Sequence, residues 1–215
     1  MSGRRLPRLL SVTLLTVLLT DPGLWHLFSY DGIRPNQVSF SQAGMRIEVD
    51  ASNSPTVVAL ERTAHVKSVA VAGQLKGEAL RLSGGRQGES GFDDFALRIG
   101  LVVPGTRRLD FLERQFAPDW VVQLSDLAPE GLGLDQVYFL NAVADPRLLG
   151  RTRTHPASDL LVEHFAWELA APGAFSLAHE FDAAIPINAI WIAADGDDTQ
   201  STFTLDLERL EIGVE

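Results

Sequence analysis

The chain has 215 residues, of which 46% are hydrophobic and 21% are charged, and it contains no cysteine. This is the composition of an ordinary globular protein, so extended disorder, collagen-like repeats and coiled coils are excluded. Without cysteine there are no disulfides, zinc ribbons, iron–sulfur clusters or thiol catalysis. A formal net charge of −10 argues against a nucleic-acid partner, because binding nucleic acid requires a basic face that displaces counterions from phosphates.

The N-terminal segment has the pattern of a targeting signal. Three arginines, at positions 4, 5 and 8, precede an apolar run from Leu9 to Leu19. This order is typical of a secretory signal, and the run is too short to span a bilayer. No small-x-small cleavage site follows it. Residues 9–28 are therefore predicted to be a hydrophobic helix, either a signal peptide or an uncleaved inner-membrane anchor. We expect a periplasmic or otherwise exported protein, with residues 1–36 as leader and linker and residues 37–215 as the folded domain.

Alternation of apolar and polar residues dominates from Val38 onward and predicts short strands. Met45, Ile47 and Val49 alternate with charged residues, and the clearest such pattern runs from Asp94 to Val103. In the last predicted strand, a change of phase at Glu208-Arg209 predicts a β-bulge. The other predicted strands are 56–60, 66–72, 77–82, 137–143, 160–169, 187–194 and 203–212.

Residues 106–128 interrupt the strand pattern. Leu109, Leu112 and Phe116 have helical spacing, and a second apolar cluster follows Pro118. This segment is therefore predicted to form one or two short helices. The whole pattern indicates a mainly β protein, an antiparallel β-sandwich with a short helical insertion and an N-terminal hydrophobic helix.

Two short motifs resemble those of a family of bacterial exported proteins that is catalogued as a domain of unknown function. One is Asp93-Asp94-Phe95-Ala96-Leu97-Arg98, and the other is Ala194-Asp195-Gly196-Asp197-Asp198-Thr199 before the last strand, with Tyr138 between them. The resemblance covers residues 38–212. It implies a jelly-roll sandwich like that of galactose-binding-like and carbohydrate-binding modules, with no established activity. The chain departs from the family at Leu140, where the family has tryptophan, and in residues 66–74, which lack aromatic side chains.

The acidic loop of Asp195, Asp197 and Asp198 is the first predicted site. Oxygen ligands two residues apart suit Ca²⁺, which takes six to eight of them, although the EF-hand pattern is not met. The alternative is a hairpin turn in which aspartates cap backbone amides. We expect no cofactor, with a structural Ca²⁺ at these three aspartates as the alternative. The spacing of the histidines predicts no transition-metal site.

A second predicted site, for a ligand, comprises Asp94, Arg98, Tyr138 and Trp191. Asp94 and Arg98 lie about 13 Å apart along an extended strand, too far to pair with each other. Arg98 is therefore expected to meet a carboxylate on a neighbouring strand, and Asp198 is the predicted partner. Such an arginine can hold two strands together through a desolvated ion pair, or it can recognise a ligand with its planar fork. Tyr138 and Trp191 can likewise belong to the core or to a sugar-stacking platform.

Three functions are compatible with these residues, and a fold alone does not choose among them. The first is a non-catalytic exported domain that binds a saccharide or another envelope component. The second is an enzyme that acts on polysaccharide through paired carboxylates. The third is an assembly protein that binds another protein. Two carboxyl groups about 5–10 Å apart in a groove would favour the enzyme. Exposed aromatic rings without that pair would favour saccharide binding, and an apolar patch on a convex face would favour a protein partner. A membrane is expected as a partner only through an uncleaved N-terminal segment.

Overall fold

The structure is a computed structural model that describes residues 13–78 and 80–215. In these ranges the chain forms eleven strands and two short α-helices. The strands are β1 (Thr13–Thr16), β2 (Trp25–Leu27), β3 (Gln37–Ser41), β4 (Gly44–Asp50), β5 (Thr56–Gly77), β6 (Leu97–Gly105), β7 (Gly133–Val143), β8 (Thr152–Thr154), β9 (Leu161–Glu168), β10 (Gly173–Ala193) and β11 (Thr202–Val214). The helices are α1 (Phe111–Phe116) and α2 (Asp119–Asp126).

The described strands belong to one mixed sheet. Its order is β3-β4-β11-β5-β10-β6-β7-β9-β8, with β1 paired to β11 and β2 paired to β5. The predictions of a mainly β fold, of short helices within 106–128 and of a β-bulge near Glu208 are confirmed. The prediction of a wholly antiparallel sheet is wrong, because β7 and β9 are parallel. The connection between them contains β8, which is the antiparallel partner of β9, so β9 takes the direction of β7.

Two long strands, β5 and β10, allow the sheet to fold over on itself. They pair along most of their length, with register shifts between Glu180 and Ile185 and between Ile187 and Ala189. Such irregularities bend a strand pair. Contacts between β9 and the first half of β10 show that the two halves of the sheet then face each other. The indole Nε1 of Trp167 donates to the carbonyl of Ala178 at 2.9 Å.

The main hydrophobic core lies between these two layers. The predicted alternation in β4 is confirmed, since Met45, Ile47 and Val49 are buried while the charged residues between them are exposed. They meet side chains of the other layer that include Leu97 and Ile99 of β6. A second apolar cluster covers the opposite face of β6, β7 and β10, where α2 packs. β6 is therefore buried on both faces, and the second face is the one that positions the candidate site.

Residues 13–28 contain no α-helix, in contrast to the predicted hydrophobic helix over 9–28. β1 and β2 add to free edges of the sheet, and a 3₁₀ turn at Pro22–Leu24 separates them. Asp21-Pro22 interrupts any helix here, because proline lacks a backbone donor and the sheet edges offer unpaired groups. The beginning of the predicted leader, residues 1–12, lies outside the described residues. Within the described ranges, no helix is long and apolar enough to cross a membrane.

Asp206 of β11 forms a charged cluster on the surface. Its carboxylate accepts hydrogen bonds from Arg46 Nε at 2.6 Å and Nη2 at 3.0 Å, and from Lys76 Nζ at 2.6 Å. The hydrogen bond from Arg46 is the largest cause of a lowered pKa, and with Lys76 it brings the pKa of Asp206 to about 2. The folded state therefore holds this carboxylate ionised at a pH where an unfolded chain would protonate it.

We expect Asp206 to stabilise the fold above about pH 4 and to lose this effect as the pH falls to about 2. An aspartate in an unfolded chain takes up its proton near pH 3.9, so in this window the unfolded state binds more protons. Because Arg46 and Lys76 are about half exposed, solvent limits the contribution to about 1 kcal/mol. Urea unfolding of the wild type and Asp206→Asn as a function of pH measures it.

The difference in unfolding free energy between these two proteins should shrink below pH 4. Asp50→Asn is the matched control, because it removes one charge from an exposed pair between Asp50 and Arg34. The control should differ little from the wild type at any pH. A difference for Asp206→Asn that did not change with pH would contradict the prediction.

Candidate functional site

An open cleft of about 920 Å³ lies on the face of β6, β7 and β10 that points away from the main core. Arg98, Phe139 and Trp191 line it from three neighbouring strands. The helical insertion covers one side, with Trp120 on α2. Residues 155–161, residues of the loop 195–198, and Tyr30, Asn53 and Asp94 also line it. One cleft is therefore lined by several of the predicted strands together with the predicted helical insertion.

Gly100 allows the aromatic part of the cleft to pack tightly. It lies between Phe139 and Trp191 in the sheet. A Cβ atom at position 100 would stand 2.8 Å from Phe139, a distance that real Cβ contacts essentially never show, and 3.0 Å from Trp191, which is tighter than most. The Trp191 ring contacts Phe139 and Trp120 edge-to-face, with ring centroids 5.7 Å and 5.6 Å away. This geometry is favourable for aromatic pairs, so these rings form a fixed wall.

Arg98 connects three parts of the structure at the cleft. Its Nε lies 2.5 Å from Asp195 Oδ2, a close ionic contact without the alignment of a hydrogen bond. Its Nη1 donates to Glu163 Oε1 at 3.2 Å, and its Nη2 donates to the carbonyl of Asp93 at 2.9 Å. Burial lowers the pKa of Arg98, but the negative charges of Asp195 and Glu163 outweigh the effect of burial and raise this pKa. Arg98 is therefore a fully charged, buried crosslink between β6, β9 and the loop after β10.

A second arginine extends this ion-pair network to the surface. Arg153 donates to Glu163 Oε2 and to Asp93 Oδ1, both at 2.7 Å. His155 Nε2 lies 2.8 Å from Asp93 Oδ2. Burial raises the pKa of Asp93, but the hydrogen bond with His155 and the charges of the nearby arginines outweigh burial, so that the pKa is lowered. Ligand atoms of Asp93, His155 and Glu163 lie within 4.8 Å of one another, as in a metal site. Arginine donors already occupy these carboxylates, which accounts for their proximity without a metal.

Asp94 holds the acidic loop in place. Its Oδ2 accepts hydrogen bonds from the backbone N–H of Thr199 at 2.7 Å and from its hydroxyl at 2.6 Å. In return, Asp198 Oδ2 accepts from the backbone N–H of Asp93 at 3.1 Å. Both aspartates therefore cap backbone amides, as expected of aspartates in turns. The two motifs that carried the sequence resemblance meet here, at one end of the cleft.

Carboxyl groups and unsatisfied polar atoms are concentrated at this end. Burial raises the pKa of Asp195 well above its usual range, and the charges of Asp94 and Asp197 add to this effect. Burial likewise raises the pKa of Asp94 and of Asp197. Among the described residues, four buried atoms of the cleft lining have no hydrogen-bond partner. One is Arg98 Nε, which keeps its ionic contact with Asp195, and the other three are Asp195 Oδ1, Asn53 Oδ1 and Trp191 Nε1. An unsatisfied buried polar group costs about 1–3 kcal/mol, so these atoms favour the arrival of a polar ligand.

The structure brings most of the predicted site residues together. Asp94, Arg98, Trp191 and the three loop aspartates all line the cleft. Tyr138 does not, because it alternates with Phe139 along β7 and faces the other layer, with its ring 6.0 Å from that of Phe181. The predicted pairing of Arg98 with Asp198 is wrong. Arg98 meets Asp195, because Asp198 turns toward the backbone of Asp93.

Several site residues were missed by sequence reasoning. Glu163 gave a usable signal, since it is a charged residue within an apolar strand, and a buried charge requires a partner. Arg153, Asn53 and Tyr30 gave none, because they lie in or near loops whose positions depend on the tertiary fold. Trp120 belongs to the apolar cluster predicted after Pro118, and the structure places it both in the second core cluster and in the lining of the cleft.

One rim of the cleft is apolar and exposed. α1 begins with a capping box, in which the Asp110 carboxylate accepts from the backbone N–H of Glu113 while the Glu113 carboxylate accepts from that of Asp110. This helix leaves Phe111, Leu112 and Phe116 largely exposed. Exposed apolar side chains in a group mark binding sites for ligands or other proteins.

No family model matches the chain, and no curated protein matches it. Solved structures similar to the chain include a xylan-binding module CBM15, at 9% identity and a TM-score of 0.40, covering 95% of this chain and 97% of the other. A second is the exoplasmic/lumenal domain of VIP36 in a Ca²⁺/Man3GlcNAc-bound form, at 9% identity and a TM-score of 0.39, covering 91% and 86%. A third is reduced XRCC1 bound to the DNA pol beta catalytic domain, at 8% identity and a TM-score of 0.34, covering 87% and 97%.

Proposed function

We propose that this protein is a non-catalytic binding domain that takes a saccharide in the cleft beside α2. The observation that carries the proposal is the set of unpartnered hydrogen-bonding atoms in one open cleft, beside aromatic rings that are largely buried. A sugar ring presents C–H faces that stack on aromatic rings and hydroxyls that both donate and accept. The cleft volume of about 920 Å³ lies within the range of small-molecule sites.

The unpartnered atoms match the polarity of a hydroxyl group. Trp191 Nε1 is a donor, whereas Asp195 Oδ1 and Asn53 Oδ1 are acceptors. A hydroxyl can serve either kind of atom, because it has one donor and two acceptor lone pairs. An apolar ligand would leave all three atoms unsatisfied, so the cleft favours a polyhydroxylated ligand.

A thermal-shift screen of the protein against neutral, acidic and amino oligosaccharides tests the proposal. A ligand that binds the folded state raises Tm, by about 5–10 °C when present at about 100 times its Kd. The rise should be reduced in Trp191→Phe, which keeps an aromatic ring and removes the indole donor. No shift with any oligosaccharide would refute saccharide binding.

Trp167→Phe is the matched control. Its indole Nε1 donates to the carbonyl of Ala178, and Trp167 is not part of the cleft lining. Both variants lose an indole N–H, but only Trp167→Phe loses a hydrogen bond within the protein, so it controls for a general loss of stability. The ligand-induced rise in Tm should remain as in the wild type.

A polysaccharide-active enzyme is the second candidate function. The observation that favours it is the contrast between Asp93, whose pKa is lowered, and Asp94, Asp195 and Asp197, whose pKa values are raised. Carboxyl groups with divergent pKa values are typical of acid–base pairs. Release of new reducing ends from an oligosaccharide that binds, abolished in Asp197→Asn, would establish the enzyme and overturn the non-catalytic proposal.

A structural Ca²⁺ at Asp195, Asp197 and Asp198 remains a prediction. All three residues line the cleft, and oxygen ligands suit this ion. Including Ca²⁺ and a chelator in the same thermal-shift screen tests it. A Tm that rises with Ca²⁺ and falls with chelator would confirm the Ca²⁺ site, and a Tm that is unchanged by both would contradict it.

We also propose that the protein acts outside the cytoplasm, in the bacterial envelope. The basic residues before Leu9 and the apolar run that follows support export. The pairing of β1 with β11 and the burial of Val17 and Leu19 favour a mature protein that retains residues 13–28. Fractionation of cells that express the full chain, followed by N-terminal sequencing, tests both points. Recovery in the cytosolic fraction would contradict export.

A further inference from the structure

The cleft carries an excess of negative charge. Among the described residues, seven acidic side chains and two arginines line it. Arg98 pairs with Asp195, and Arg153, beside the cleft, pairs with Asp93. Five acidic side chains of the lining and Arg107 are left after these two pairs. A cleft lined mainly by one sign of charge concentrates ligands of the opposite sign. This charge pattern therefore points to a cationic group on the ligand.

The unpartnered acceptors show where this group would bind. Asn53 and Asp195 are partners in an antiparallel bridge, so their side chains lie next to each other on the same face. Both side chains end in an oxygen without a partner, and Asp195 is 3% exposed. Two acceptors do not satisfy each other. A protonated amine supplies three donors at a single atom.

Asp94, Asp195 and Asp197 do not have the spacing of three ligands of one metal ion. Ca²⁺ holds its oxygen ligands at 2.3–2.6 Å, so the ligands lie at most about 5 Å apart. In the described part of the chain, Asp94, Asp195 and Asp197 do not form a trio within 4.8 Å. Hydrogen bonds of 2.7–3.2 Å let an amine reach acceptors that are about 6 Å apart.

The aromatic wall supports the same conclusion. Trp120, Trp191 and Tyr30 line the cleft together with these carboxylates. Aromatic faces attract organic cations through their quadrupole, and tryptophan does so most strongly. Trp191 and Trp120 are 1% and 9% exposed, so these rings stand beside the carboxylates as part of the packed lining, where they favour a cationic group over an anionic one.

We propose that the saccharide bound in this cleft carries a free, protonated amino group, which binds at Asn53, Asp195 and Asp197. This inference rests on the proposed saccharide function and names its ligand class, an amino sugar rather than a neutral or acidic one. The amine takes the unpartnered oxygens, and the sugar ring lies against the tryptophans.

Matched oligosaccharides test the proposal. Isothermal titration calorimetry compares oligomers of glucosamine with oligomers of N-acetylglucosamine of the same length, which differ in charge at one nitrogen per sugar. The glucosamine oligomers should bind about tenfold more tightly or better, and this advantage should fall at high salt, because screening weakens charge attraction. Equal binding of the two series would overturn the amine site and leave saccharide binding intact. Absence of binding by both series and by neutral oligomers would overturn the saccharide function itself.

Charge-neutralising variants locate the amine. Asp197→Asn should lower the affinity for glucosamine oligomers about tenfold while changing the affinity for the N-acetylated series little. Asp182→Asn is the control, since it removes one exposed acidic charge outside the cleft and should leave both affinities unchanged. Ca²⁺ alone is titrated as a further arm. If Ca²⁺ bound tightly and displaced the glucosamine oligomers, the site would be a metal site and the amine proposal would fail.

Discussion

Replacing Arg98 with methionine is expected to lower the free energy of unfolding by about 3–5 kcal/mol. Methionine fills much of the same volume but leaves Asp195 without its buried cationic partner, while Glu163 keeps only Arg153. Removing one member of a buried ion pair is costly because the remaining charge has neither water nor a counterion. Chemical denaturation of the two proteins, monitored by tryptophan fluorescence, measures the loss.

Arg34→Met provides the control for this prediction. Arg34 pairs with Asp50 at 2.6 Å, but more than half of each side chain is exposed. The same substitution there should cost about 1 kcal/mol or less. If Arg98→Met were as mild as Arg34→Met, the description of Arg98 as a buried crosslink would be wrong.

Trp120→Ala is expected to cost about 3–5 kcal/mol and to release the helical insertion from the sheet. Trp120 is 9% exposed and packs edge-to-face on Trp191. Its removal leaves a cavity between α2 and β10. Limited proteolysis should then cut within 106–132 faster than in the wild type, since a segment with few buried contacts opens readily.

Phe116→Ala separates this effect from a general loss of aromatic surface. Phe116 lies on the same insertion but is 85% exposed. Its removal should change the unfolding free energy by less than about 0.5 kcal/mol. Rapid cleavage of the insertion in both variants would show that Trp120 does not anchor it.

Local patterns in the sequence were sufficient to predict the elements that have one clear face. The alternation in β4 and the phase change at Glu208 both reflect contacts within or between neighbouring strands, and both are present. The first half of β10 was missed, because His179 and Glu180 weaken an alternation that Phe175 and Leu177 begin. β5 was predicted as two strands, because the mainly polar residues 61–65 interrupt its apolar pattern at the bend of the sheet.

The candidate site could be predicted in composition but not in geometry. Asp94 and Arg98 were recognised from their spacing along one strand, and Asp195 was recognised as part of the acidic loop. The position of Glu163 beside Arg98 depends on the parallel pairing of β7 with β9, which joins residues far apart in sequence. A pairing between strands that are far apart in the chain leaves no pattern in the sequence of either strand. For the same reason, the sequence pointed to the correct acidic loop but to the wrong aspartate as the partner of Arg98.

The continuity of β5 and β10 has a consequence for how the molecule unfolds. Each of these strands runs through both layers. Unfolding of one layer therefore breaks backbone hydrogen bonds of strands that also form the other layer. The two layers therefore cannot behave as separate cooperative units. Denaturation should follow a single transition that fluorescence and circular dichroism report at the same midpoint. For the same reason, a ligand bound in the cleft raises the free energy of unfolding of both layers, including the one that it does not contact.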